Sequence, residues 1–151
     1  MEQSLKIIAL VVCLNFGKYC FACETDQTDF QSITDMCNQT HQTGAEKLLY
    51  LYDQGILQDE NEMDPKCFLR CLFETSFMVS LEDGTYDNCK VVQYFGRMKT
   101  DDDSRQNELM AISEKCGPKT DHADMCERTY KFVKCFITKE NELLRGEVSV
   151  S

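Results

Sequence analysis

Histidine is almost missing from this chain: His41 and His122 are the only two in 151 residues. Zinc held by the pair in "MDPKCFLRC" (63–71) would need a second cysteine knuckle or histidines, and neither is in place. The same pair has the wrong spacing for a thioredoxin-like redox motif, and no βαβ pattern surrounds it. No two cysteines are adjacent, which removes secreted phospholipases and plant-type lipid-transfer proteins. No G-x-S-x-G occurs, and "DDD" (101–103) lacks the Asp-x-Asp-x-Asp-Gly ladder of a calcium loop. No catalytic cluster, cofactor motif or metal site stands out. Basic residues are also scarce, 16 against 26 acids, which argues against nucleic acid and anionic membranes as partners. Prolines number two and glycines seven. There is no internal repeat, low-complexity tract or alternating strand pattern.

What is there begins with a leader-like stretch. Glu2 and Lys6 precede the apolar run "IIALVVCLNF" (7–16), and small residues, Cys20 and Ala22, follow. This reads as a secretory signal peptide over residues 1–22, too short to span a bilayer. The mature chain, 23–151, is expected to start at Cys23. Removing two lysines and one glutamate leaves 14 bases against 25 acids, a formal charge of −11. Eight cysteines remain: Cys23, Cys37, Cys67, Cys71, Cys89, Cys116, Cys126 and Cys135. An even number in a short secreted chain implies a disulfide framework, and eight cysteines allow 105 pairings.

Apolar residues recur at helical intervals. Phe30, Ile33 and Cys37 share one face. "GAEKLLYLYDQG" (44–55) is a helix between two glycines. Asp64 followed by Pro65 reads as a helix start, and that helix runs to about Ser76 with Cys67 and Cys71 on one face. "LEDGTYDN" turns at Asp83-Gly84 and offers Asp87 as the next N-cap, opening a helix over "CKVVQYFGRM" (89–98). A fifth helix, from the acids at 101, stops at Gly117-Pro118. The last, from about Asp121 to Lys139, carries a stripe of Met125, Thr129, Phe132, Val133 and Phe136. Its Cys126 and Cys135, nine residues apart, lie on opposite sides, so this helix should sit centrally between two neighbours. The reading is all-α with six helices. Asn38-Gln39-Thr40 is an N-glycosylation sequon.

The gaps between six of the cysteines are 29, 3, 44, 9 and 8 residues. With "DPKCFLRCLFET", "EDGTYD" and "CERTYKFVKCF", this spacing resembles the insect odorant-binding proteins over essentially the whole mature chain. The resemblance implies a six-helix, disulfide-stapled bundle around an internal apolar cavity, without catalysis. It also implies the pairs Cys37–Cys71, Cys67–Cys126 and Cys116–Cys135. Cys23 and Cys89 are extra to the pattern, and a fourth bridge between them is expected; were Cys23 lost with the leader, Cys89 would be a free thiol or an intermolecular link.

By the same resemblance, the cavity is lined by Ile33, Leu72, Phe73, Phe77, Met78, Val92, Tyr94, Phe95, Met98, Met110, Thr129, Phe132, Val133 and Phe136, with Tyr94 and Thr129 as polar contacts. Residues 140–151 form a tail with apolar positions that could fold back as a lid. The implied ligand is a small hydrophobic odorant, pheromone or fatty acid. A receptor and a second copy of the chain are the candidate protein partners. The implied location is extracellular: sensillum lymph for an olfactory carrier, saliva or haemolymph for a scavenger of amines, lipids or hormones on the same fold.

Overall fold

The computed structural model describes residues 29–96, 103–117 and 123–146. Among them lie six helices: α1 (Phe30–Thr40), α2 (Ala45–Gln54), α3 (Met63–Thr75), α4 (Asn88–Phe95), α5 (Asp103–Cys116) and α6 (Met125–Leu144). The one strand-like feature among the described residues is a single antiparallel bridge, Val79 to Tyr86. No described helix is long and apolar enough to cross a membrane.

Local chemistry accounts for most helix ends. Three starts are capped by aspartate carboxylates accepting a backbone N–H: Asp29 from Ser32, Asp87 from Lys90 and Asp124 from Glu127. Helix α2 is bracketed by Gly44 and Gly55. Gly55 has φ +74°, and a Cβ there would meet Thr138 Oγ1 at 2.7 Å, so the chain turns close under α6 only because no side chain is present. Helix α3 starts slightly earlier than Asp64-Pro65 suggests: Glu62 is the cap, and Pro65 lies within the first turn, where its missing N–H is still not needed. Helix α4 ends at Gly96 rather than near Met98; the Gly96 N–H closes on the Val92 carbonyl. Met98 lies outside the described residues.

Helix α6 is longer than its predicted end at Lys139. The buried stripe continues through Ile137, Glu140 and Leu143, so residues 140–144 are its last turns and not a separate tail. Its start is capped by Asp124, whereas Asp121 and His122 lie outside the described residues. This helix packs most extensively on α3, and also on α5 and α2. Three disulfides fix that arrangement: Cys37–Cys71 ties α1 to α3, Cys67–Cys126 ties α3 to α6, and Cys116–Cys135 ties α5 to α6. Cys67 and Cys71 thus leave one helix for two different partners. Cys89 is disulfide-bonded too, and no described cysteine is free; its partner lies outside the described residues. Asn38 sits exposed on α1, its Oδ1 accepting from Thr43 N at 3.2 Å.

Candidate functional site

The core is a run of rings held between α3, α4 and α6. Phe73 meets Phe95 at 5.1 Å between centroids and Phe132 edge-on at 5.7 Å. Phe132 lies near Phe136 at 6.5 Å and stacks on Tyr86 at 3.8 Å. Such contacts add orientation to what is mainly area burial. Of the residues expected to line a cavity, Leu72, Phe73, Met78, Val92, Phe95, Thr129, Phe132, Val133 and Phe136 are all buried. Ile33, Tyr94 and Met110 pack partly buried against this core. The Thr129 hydroxyl donates to the Met125 carbonyl within its own helix. Tyr94 stacks on Phe30 at 4.6 Å, and its hydroxyl is buried without a hydrogen-bond partner.

Phe77 behaves differently. It is 70% exposed and has φ +56°. The reason lies in how α3 ends. Met78 N–H bonds to the Phe73 carbonyl and Phe77 N–H to the Glu74 carbonyl, the paired closure of a Schellman motif, whose left-handed position is usually glycine. A phenylalanine there is strained, and its ring lies outward, with Lys90 Nζ 5.6 Å from the ring centroid.

That ring borders an open cleft of about 580 Å³, with Val79, Ser80, Leu81, Glu82, Thr85, Tyr86 and Asp87 as the other walls. Leu81 is 73% exposed. A second cleft, about 320 Å³, lies against the same 79–86 hairpin and α5, and includes Tyr86, Asn88, Ser113 and Arg128. A third, about 150 Å³, lies at the α2–α3 connection beside Lys47, Leu57 and Pro65. Of the fourteen expected lining residues, these clefts share only Phe77. The residue that joins cleft to core is Tyr86, whose ring walls the first two clefts while stacking on Phe132. Its placement depends on the hairpin, fixed by Ser80 N–H to the Thr85 carbonyl at 2.8 Å and Asp87 N–H to the Met78 carbonyl at 2.9 Å. The turn signal at Asp83-Gly84 was visible in the sequence; that it would aim Tyr86 inward was not.

A polar cluster locks the α2–α3 connection to the α3–α6 seam. Lys66, 2% exposed, bridges the Glu60 carbonyl and the Glu127 carboxylate. The Tyr130 hydroxyl donates to Glu60 Oε1 at 2.6 Å and accepts from Leu57 N at 3.0 Å, and Lys134 Nζ adds an ion pair to the same oxygen at 2.6 Å. Burial, then the donated hydrogen bond to Glu60, push the Tyr130 phenol well above its ordinary value. The bonds from Lys134 and Tyr130 hold the Glu60 carboxyl below its ordinary 4.5. A group with a lowered folded pKa stabilises the native state above the unfolded value, and that contribution disappears as the pH falls through the folded one. Glu60→Gln should therefore cost stability at pH 7 and cost less near pH 3, measured by urea unfolding at both.

Among the described residues no group of histidine, cysteine or carboxylate side chains could hold a metal. No curated protein and no solved structure shows significant similarity to the chain. A family model does match, described as the PBP/GOBP family, over residues 22–139. Its members are binding and carrier proteins for small hydrophobic ligands. With that match spanning well over half of the chain, and six helices clamped by three bridges between six of its cysteines, the chain belongs to the PBP/GOBP family, the insect odorant- and pheromone-binding proteins.

Proposed function

We propose that the protein is an extracellular carrier that takes up one small hydrophobic odorant or pheromone at the Phe77–Tyr86 cleft and the ring core behind it, and hands it to a receptor. The observation that carries this is Phe77. A bulky residue kept in a left-handed conformation costs about 1–2 kcal/mol, and here it is borne by a residue whose aromatic face lies open to solvent beside a cleft. Strain of this sort gathers where a ligand is met. Apolar area removed from water, at about 25 cal/mol per Å², supplies the affinity. Tyr86 is the gate, because moving its ring off Phe132 joins the cleft to the buried faces of Phe73, Phe132 and Phe136. Met78 and Met110 adapt to ligand shape. Residues 1–22 direct secretion, and Cys23–Cys89 forms the fourth bridge, supported by the disulfide-bonded state of Cys89.

Phe77→Gly separates strain from binding. Glycine relieves the backbone, so stability should rise by about 0.5–1 kcal/mol. Loss of the ring should weaken an apolar probe roughly tenfold, the equivalent of about 1.4 kcal/mol. A variant that gains stability and keeps full affinity would remove Phe77 from the site. Native mass spectrometry with a panel of volatiles and fatty acids tests the function itself: at least one ligand per chain is expected, and a panel with no bound species would refute the carrier reading.

A further inference from the structure

We infer that the cleft on the far side of the 79–86 hairpin is a second ligand site, built around Arg128 and selective for neutral molecules that carry a carbonyl oxygen. At about 320 Å³ it falls at the lower end of small-molecule sites, roughly 300–1,000 Å³, a size for a single ring or a short chain. Its floor is apolar: the Tyr86 ring, itself seated on Phe132 at 3.8 Å. Its polar group is the Arg128 guanidinium, projected from α6 beneath the hairpin. Of the five N–H donors of that group, one is used among the described residues, from Nη2 to the Gly84 carbonyl at 3.2 Å. Nε is buried with no hydrogen-bond partner. Among the described residues Arg128 forms no ion pair. A guanidinium held at a cleft wall, with most of its N–H donors unspent among the described residues, is a donor site awaiting an acceptor oxygen.

The other walls determine which oxygen. Ser113 Oγ is committed to Asn88 Oδ1 at 2.7 Å, so it does not compete for the ligand. Asp83 Oδ1 already accepts from Thr85 N at 3.0 Å and Thr85 Oγ1 at 2.7 Å, and Glu114 is exposed at the rim. These two carboxylates against one arginine, in a chain of formal charge −10, disfavour a carboxylate ligand. A hydrocarbon of the same shape leaves the guanidinium unanswered, which is how sites with polar groups reject analogues lacking the matching atom. A ketone, aldehyde or ester satisfies both conditions, with its apolar body on Tyr86 and its carbonyl on Arg128.

The test uses acetophenone, its deoxygenated analogue ethylbenzene, and benzoate, titrated into the folded, disulfide-intact protein. Binding is followed by proton–nitrogen NMR on the Arg128 Nε–H, whose signal is identified by its loss in Arg128→Met. Acetophenone should move that signal and bind roughly tenfold tighter than ethylbenzene, with benzoate weaker than acetophenone. In Arg128→Met, followed on the backbone N–H of Gly84 in the same cleft, the two neutral compounds should bind equally. An unmoved Arg128 signal at saturating acetophenone, equal affinities in the unaltered protein, or a preference for benzoate would each overturn the proposal. If Arg128→Met does not fold, Arg128→Lys identifies the signal by the same loss, and the titration of the unaltered protein decides the proposal. Binding of N-phenyl-1-naphthylamine at the Phe77 cleft is followed in the same samples, so failure of the carrier reading and failure of this one are seen separately.

Discussion

Replacing Cys67 and Cys126 together by alanine should lower the stability of the domain by about 4 kcal/mol, the largest loss expected among the three bridges between described residues. The bridge joins residues 59 apart, against 34 for Cys37–Cys71 and 19 for Cys116–Cys135. Because closure entropy grows with the logarithm of loop length, the loss for Cys116→Ala/Cys135→Ala should be smaller by about 1 kcal/mol. The double variants avoid leaving a lone thiol to reshuffle. The seam itself should persist, since Lys66 and Glu127, the neighbours of these two cysteines, still pair across it. Urea unfolding of the two double variants checks the order. An equal or reversed order would show that native packing, and not restriction of the unfolded chain, sets what each bridge contributes.

Phe132→Ala should cost about 3–5 kcal/mol, the range for emptying a buried ring site. Phe132 is fully buried and touches Phe73, Tyr86 and Phe136. Its loss removes the partner on which Tyr86 stacks, so the effect reaches the cleft as well as the core. Affinity for a bulky apolar probe should rise while stability falls, because the new void opens where the gate seals the interior. A cost below about 1 kcal/mol, with probe affinity unchanged, would mean that the site collapses around the missing ring and that Phe132 does not support the gate. Calorimetric unfolding and probe titration on one sample read both quantities.

The sequence disclosed the frame well where its signals are local. Gly44 and Gly55 bracket α2, Asp87 caps α4, and the half-turn offset between Cys126 and Cys135 placed the last helix between two neighbours. The five intervals between six of the cysteines carried the family. Periodicity stops short at the site, because a residue facing inward looks the same in sequence whether it fills the interior or encloses a void. Phe73, Phe132 and Phe136 are packed ring against ring, while the clefts are walled by Val79, Leu81, Tyr86 and Arg128, which no periodic stripe contains. Phe77 was chosen for its apolar character, yet what sets it apart in the structure is a backbone conformation that its residue type argues against. The Lys66–Glu127–Tyr130–Glu60 cluster joins residues about 60 to 70 positions apart, a pairing invisible to any local pattern.

The central claim is that a disulfide-clamped helical shell admits a small apolar guest beside Phe77 and Tyr86. Fluorescence titration with N-phenyl-1-naphthylamine tests it most directly, and the chain's lack of tryptophan leaves the probe's emission clear of the protein's own. The account predicts saturable binding of one probe per chain, displacement by small volatiles, weakening in Phe77→Gly, and loss when the bridges are reduced. Absence of saturable binding, or binding that survives full reduction unchanged, would contradict it.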